Sequence, residues 1–173
     1  MGESQYVFLE GAGLEHKVAA LTERQSLTVS ETGFGTGLNF LLTLKHWLAR
    51  HPKGTRLHYI GIDAQPLRRV DLRRVWRAWP ELSDLSQQLT TRSPSPVPGC
   101  HRVVWPEWDV TLDLWWESAE EALIDLASRQ QALIDLWYLD GFAPSRNSDM
   151  WSAPLFRAMG GLSRPGATFA TFT

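Results

Sequence analysis

Short apolar runs alternate along the chain with longer segments whose apolar residues recur at helical spacing. Leu27–Thr32 reads as a strand that runs into a glycine-rich turn. Leu38–Arg50 reads as a helix, with Leu38, Leu41, Leu42, Leu44, Trp47 and Leu48 on its apolar face. Leu57–Asp63 is a second strand, and Leu67–Trp79 a second helix stopped by Pro80. Val110–Trp116 alternates polar and apolar residues as a third strand. Ala119–Gln131 then reads as a helix, Ala132–Leu139 as a fourth strand and Trp151–Leu162 as a helix. After a turn at Ser163–Gly166, Ala167–Thr173 is a fifth strand. Residues 90–108 read as a loop insertion, because Pro94, Pro96 and Pro98 forbid a helix or a central strand. Strands alternating with helices predict an α/β fold with a mostly parallel, doubly wound sheet. In such sheets ligands bind beyond the carboxyl ends of the strands, where the strand order reverses.

Composition narrows this picture. A length of 173 residues suits one domain, and 43% hydrophobic with 21% charged residues is ordinary for a folded one. No apolar run is long enough to span a membrane, and the first residues lack the basic start and apolar core of a signal peptide. The single cysteine, Cys100, forms no internal disulfide and no multi-cysteine zinc site, so the expected compartment is the cytoplasm. The net charge of −2 conceals an asymmetry. Residues 64–80 hold five arginines and one acid, whereas residues 107–140 hold nine acids and one arginine. Such asymmetry marks either a solvated helix face or a surface that meets a polyanion.

The candidate chemistry follows the strands. After the first come Glu31, Gly33, Gly35, Gly37 and Asn39, with the glycines alternating ahead of a helix. This spacing departs from the G-x-G-x-x-G of dinucleotide sites, and an acid here suits a cationic ligand such as S-adenosylmethionine. Asp63 ends the second strand, where a carboxylate either accepts both hydroxyls of a ribose or caps the next helix. Glu117 and Ser118 follow the third strand. They are placed to meet an adenine, and Ser118 with Glu121 also fits a capping box. Asp140 ends the fourth strand ahead of Gly141, Phe142, Ala143 and Pro144, an acid placed to orient an amine and take its proton. Asn147 and Asp149 either contact the substrate or shape that loop. Of the nine tryptophans, Trp108 and Trp151 are the two candidates for stacking on a base. A dehydrogenase, a methyltransferase with another substrate and a non-catalytic binding module remain rival readings.

Glu31–Asn39, Leu72–Glu81 and Leu139–Pro144 with Asn147, Asp149, Met150 and Trp151 carry a resemblance. They are similar to the methyltransferase domain of the bifunctional tRNA 5-methylaminomethyl-2-thiouridine biosynthesis proteins. The resemblance extends to Val7–Gly11 and Ala170–Thr173. It implies a class I, Rossmann-like, S-adenosylmethionine-dependent methyltransferase acting on the 5-aminomethyl group of a wobble uridine in tRNA. Glu31, Gly33, Gly35, Gly37, Asn39, Asp63, Glu117 and Ser118 would then hold the methyl donor. Asp140 would be the catalytic residue. Phe142, Pro144 and Asn147 would shape the substrate pocket, and Arg68, Arg69, Arg73 and Arg74 would meet the tRNA. In many such proteins a separate FAD-dependent oxidoreductase domain makes the amine, and no counterpart of it is recognisable between residues 1 and 173. Departures from the family pattern fall at Ala12 and at Glu117-Ser118, where Gly-Asp is usual. The expectation is one methyltransferase domain over 1–173, cut short after its fifth strand, leaving Ala167–Thr173 as an exposed sheet edge.

Overall fold

The computed structural model describes residues 11–140 and 152–171. In chain order the elements are α1 (Leu14–Ala19), β1 (Ser26–Thr32), α2 (Leu38–Arg50), β2 (Arg56–Ile62) and α3 (Arg69–Trp76). A short 3-10 turn at Pro80–Leu82 leads to α4 (Ser83–Arg92), then β3 (Gly99–Trp105) and β4 (Val110–Trp116). They continue with α5 (Ala119–Arg129), β5 (Ile134–Leu139), α6 (Ala153–Leu162) and β6 (Ser163–Thr171). The six strands form one sheet in the order β3-β4-β2-β1-β5-β6. Every pairing is parallel except that of β3 with β4.

Each central strand buries both faces, which explains its apolar content. On one face Val29, Leu57, Tyr59, Leu112, Leu136 and Tyr138 pack with residues of α1, α2, α3 and α4. On the other, Ile60, Ile62, Ile134 and Trp137 pack with α5 and α6. The expected α/β architecture is therefore present, with three differences. Ser83–Arg92 is a helix, although Ser, Asp, Gln and Thr dominate it. It stands on tertiary packing, because Leu89, Ser86 and Thr90 are buried. Gly99–Trp105 is a strand, so the proline-rich loop is confined to residues 93–98. This sixth strand was hidden because the prolines stop one residue short of it. Likewise the turn expected at Ser163–Gly166 is the start of β6. Pro165 is tolerated there because β6 lies at the sheet edge, and its Phe169 is 66% exposed.

Two acids of the acidic stretch serve the sheet rather than its surface. Asp135 accepts the backbone N–H of Thr28 at 2.8 Å and pairs with Arg164 at 3.0 Å, tying β5 to β1 and β6. Asp113 takes both arms of Arg102 at 2.7 Å and the His58 ring at 2.8 Å. Burial pushes the Asp113 carboxyl up, but hydrogen bonds from Arg102 and His58 outweigh it and hold it at about 2. The folded value lies below the unfolded one, so this contribution to stability is full above pH ~4 and lost as pH falls towards about 2. A series of melting temperatures is therefore expected to fall between pH ~4 and pH ~2, and less steeply in Asp113→Asn. Equal slopes in the two proteins would contradict this assignment. Among the described residues no helix is long and apolar enough to cross a membrane.

Candidate active site

The strand order reverses at β1, which has β2 on one side and β5 on the other. Thr32, the last residue of β1, is level with both Ile62 of β2 and Leu139 of β5. The three residues that follow, Gly33, Asp63 and Asp140, therefore leave the sheet side by side. This single register brings together the glycine loop and two acids, the second of which follows that loop by more than a hundred residues.

The loop turns tightly. Gly33 and Phe34 both donate to the Ile62 carbonyl, at 2.9 and 3.0 Å. Gly37 donates to Phe34 at 2.8 Å and starts α2 at φ 79°, a left-handed conformation that costs glycine little. Gly35 is exposed with φ 53°, and a methyl group added there meets only the Gly33 carbonyl oxygen, at 3.9 Å. Open space thus lies beside backbone that carries no side chains. Asp63 fastens the loop from the neighbouring strand. Its Oδ2 accepts the Gly35 N–H at 2.7 Å and its Oδ1 accepts the Gln65 N–H at 2.8 Å. Each oxygen retains further acceptor capacity for a ribose hydroxyl. These features fit an adenosyl ligand lying over the loop.

Beneath the loop the structure changes the roles expected of Glu31 and Asn39. Glu31 is 1% exposed, and both oxygens are taken from within the protein. Its Oε1 accepts from Asn39 Nδ2 and its Oε2 from the Tyr59 hydroxyl, each at 2.7 Å. Asn39 is also buried, and the same Nδ2 donates to Asp140 Oδ2 at 2.7 Å. One amide thus bridges two carboxyl groups. Burial pushes the Glu31 carboxyl well up, reinforced by the charges of Asp140 and Asp63. Glu31 and Asn39 therefore form a floor under the site rather than an open contact for a cationic ligand. Burial also raises the Asp140 carboxyl, and the Asn39 hydrogen bond partly offsets this. A carboxylate so raised is a better proton acceptor.

The remaining expected residues scatter. Ser118 caps α5, its Oγ accepting the Glu121 N–H at 3.2 Å and donating to the Glu121 carboxylate at 2.7 Å. Glu117 lies beyond the end of β4, one strand further from β1. Arg68 pairs with Asp71 at 3.0 Å, and Arg69 donates through Nε and Nη2 to the Ser93 carbonyl, pinning the proline-rich loop. Arg73 and Arg74 are exposed on α3 without a hydrogen bond or ion pair among the described residues. Trp108 is stacked on Trp105, with centroids 6.0 Å apart and an interplanar angle of 11°, and so serves packing. Phe142, Pro144, Asn147, Asp149 and Trp151 lie outside the described residues. Tyr59 and Gly61 escaped the sequence reading. A tyrosine in an aliphatic strand is a weak signal, and only the β1–β2 register reveals that it reaches Glu31.

A profile of S-adenosyl-L-methionine-dependent methyltransferases matches residues 80–173, more than half of the chain. The chain belongs to that family. It is also 46% identical over 176 residues to the tRNA 5-methylaminomethyl-2-thiouridine biosynthesis bifunctional protein MnmC of Aeromonas salmonicida, covering 100% of this chain and 26% of that protein. The protein of the same name from Idiomarina loihiensis is 44% identical over 171 residues, covering 99% of the chain and 28% of the relative. The chain therefore spans about a quarter of the length of these relatives. A crystal structure of MNMC2 from Aquifex aeolicus superposes with a TM-score of 0.75 at 17% identity, covering 99% of this chain and 49% of that one. The latter match shows a shared fold.

Proposed function

We propose that this methyltransferase transfers a methyl group from S-adenosylmethionine to the 5-aminomethyl group of 5-aminomethyl-2-thiouridine at the tRNA wobble position. The observation that carries this reading is Asp140, held by Asn39 at the switch point beside the glycine loop. Relatives similar over the whole chain are named for the biosynthesis of that nucleoside's methylated form. When bound, the donor supplies an electrophilic methyl group on a sulfonium sulfur. Gly33 and Gly35 would leave it room against the backbone, Gly37 would turn the loop into α2 beneath it, and Asp63 would accept its ribose hydroxyls. Glu117, just beyond β4, would be the acid that meets its adenine, and Ser118 is given to its helix cap.

The substrate amine must present a free lone pair. Asp140 accepts an N–H hydrogen bond from it, fixes its direction and takes the proton it gives up. Phe142, Pro144 and Asn147 complete the pocket in this reading, which takes residues 1–173 as one methyltransferase domain acting in the cytoplasm. The amine comes from an FAD-dependent oxidoreductase that is either fused to this domain or separate.

The test uses labelled donor and tRNA carrying 5-aminomethyl-2-thiouridine, with calorimetry for donor binding. Label is expected in that tRNA and not in tRNA lacking the aminomethyl group. Donor binding without transfer to either tRNA would exclude the substrate while leaving the family intact.

A further inference from the structure

We infer that the groove between α3 and α4 holds a backbone phosphate of the tRNA, an inference that rests on the tRNA reading above. The groove encloses about 360 Å³, within the usual range of ligand sites. Arg73, Trp76 and Arg77 line one side, and Ser86, Thr90 and Thr91 line the other. No carboxylate is among the lining residues.

Three observations point to an anion. Arg73 and Arg77 are one helical turn apart and so share a face. Neither has an ion pair or hydrogen bond among the described residues, whereas Arg68 is paired with Asp71 and Arg69 is bound to Ser93. Two adjacent guanidinium groups repel each other until an anion sits between them. The third observation is Trp76. It is 6% exposed, and its indole Nε1–H is buried with no acceptor among the described residues. Trp105 and Trp116, in the same core cluster, share that lack, but Trp76 alone of the three lines this groove. Two arginines and two threonines line the groove with no carboxylate, and Trp76 adds an indole N–H that no described residue accepts. A phosphate answers this donor set.

Position selects the tRNA backbone over a free small anion. Leu89 projects from α4 towards the glycine loop, so closely that a methyl group on Gly37 would lie 2.8 Å from its Cδ2. Ser86, Thr90 and Thr91 of the same helix line the groove. The groove and the donor loop therefore flank one helix, about 10 Å across with its side chains. A polyanion spanning that helix would meet both, and the exposed Arg74 extends the positive surface along α3.

Binding of tRNA is to be measured from 50 to 200 mM salt for the parent chain, Arg73→Gln/Arg77→Gln and Trp76→Phe. In the double variant the slope of log affinity against log salt is expected to shrink by about 0.7–0.9, the share of one phosphate. Its KM for tRNA is expected to rise about tenfold, with kcat and donor affinity unchanged. Trp76→Phe, which keeps the ring and loses one neutral donor, is expected to weaken binding a few-fold at an unaltered slope. A double-variant slope equal to that of a tRNA-binding parent overturns the groove and leaves the tRNA reading standing. A parent that binds no tRNA overturns both. Titration with inorganic phosphate, followed by the indole N–H signal that Trp76→Phe removes, tests a free anion. If phosphate moves that signal while the tRNA slope is the same in both proteins, the groove takes small anions and the inference fails.

Discussion

Asp140→Asn is expected to slow methyl transfer about 10²- to 10⁴-fold, the usual loss when a positioned proton acceptor is removed. Donor affinity is expected to change little. Asparagine keeps the shape of the side chain and still offers an oxygen to Asn39 Nδ2, which lies 2.7 Å from the native carboxylate. What it loses is the capacity to take a proton. Single-turnover transfer and calorimetric donor binding on the same preparation separate the two effects. The pH profile adds a second check. Burial raises the Asp140 carboxyl and the Asn39 hydrogen bond restrains that rise. The rate is therefore expected to climb with pH through a value above that of an ordinary aspartate. In Asp140→Asn that limb disappears. In Asn39→Ala the restraint is gone, so the limb moves to higher pH. Titration of the substrate amine is common to all three proteins and cancels in the comparison. Unchanged turnover in Asp140→Asn would remove this residue from the chemistry.

Gly61→Ala is the second large effect, and it acts from inside a strand. Its backbone is ordinary extended chain in β2, so conformational freedom is not the reason for glycine here. The reason is space. A Cβ at Gly61 would lie 2.3 Å from Cδ2 of Phe34 and 3.0 Å from its Cγ. Phe34 has little room to retreat, being 6% exposed and packed beside Phe40 and Trp116, each with centroids 6.3 Å away. It sits between Gly33 and Gly35, so displacing its ring displaces the donor loop. The variant is expected to lose about 1–3 kcal/mol of stability, as overpacked cores do. Its S-adenosylmethionine affinity is expected to fall with it. Phe34→Leu in the Gly61→Ala background opens the space again and is expected to recover part of both losses. Denaturant unfolding of the four proteins in the cycle measures that coupling. Strictly additive effects would show that the contact does not govern the loop.

Much of this site was legible before any coordinates, and the reason is local. The G-x-G-x-G turn and the acids at Asp63 and Asp140 are each announced by a strand that ends beside them. The boundaries of α2 and β4 are also local, set by helical spacing in one and by alternation in the other. What escaped depends on partners distant in sequence. Tyr59 becomes the support of Glu31 only through the β1–β2 register. Gly61 matters only because Phe34 returns over it. Asn39 reads as a donor contact beside the glycine turn, and its role as the bridge between Glu31 and Asp140 emerges only when β5 is set beside β1. α4 was hidden by poor helix formers whose burial outweighs their propensity, and β3 by the prolines that precede it. The arginine run divided for the same reason. Asp71 and Ser93 claim two of its members, and Arg73 and Arg77 are left facing the groove.

The central place of β1 also sets a schedule for synthesis. β2 emerges soon after β1 and pairs with one of its edges. The other edge waits for β5, whose first residue, Ile134, follows Thr32 by about a hundred positions. At roughly 5–20 residues per second, that edge stays open on the ribosome for about 5–20 s. During this time the switch point does not exist, because Asp140 has not been made. The nascent chain therefore holds its glycine turn and Asp63 well before the acid that completes them. A chaperone that covers the free edge of β1 during that interval would protect an unpaired apolar strand from pairing with another chain.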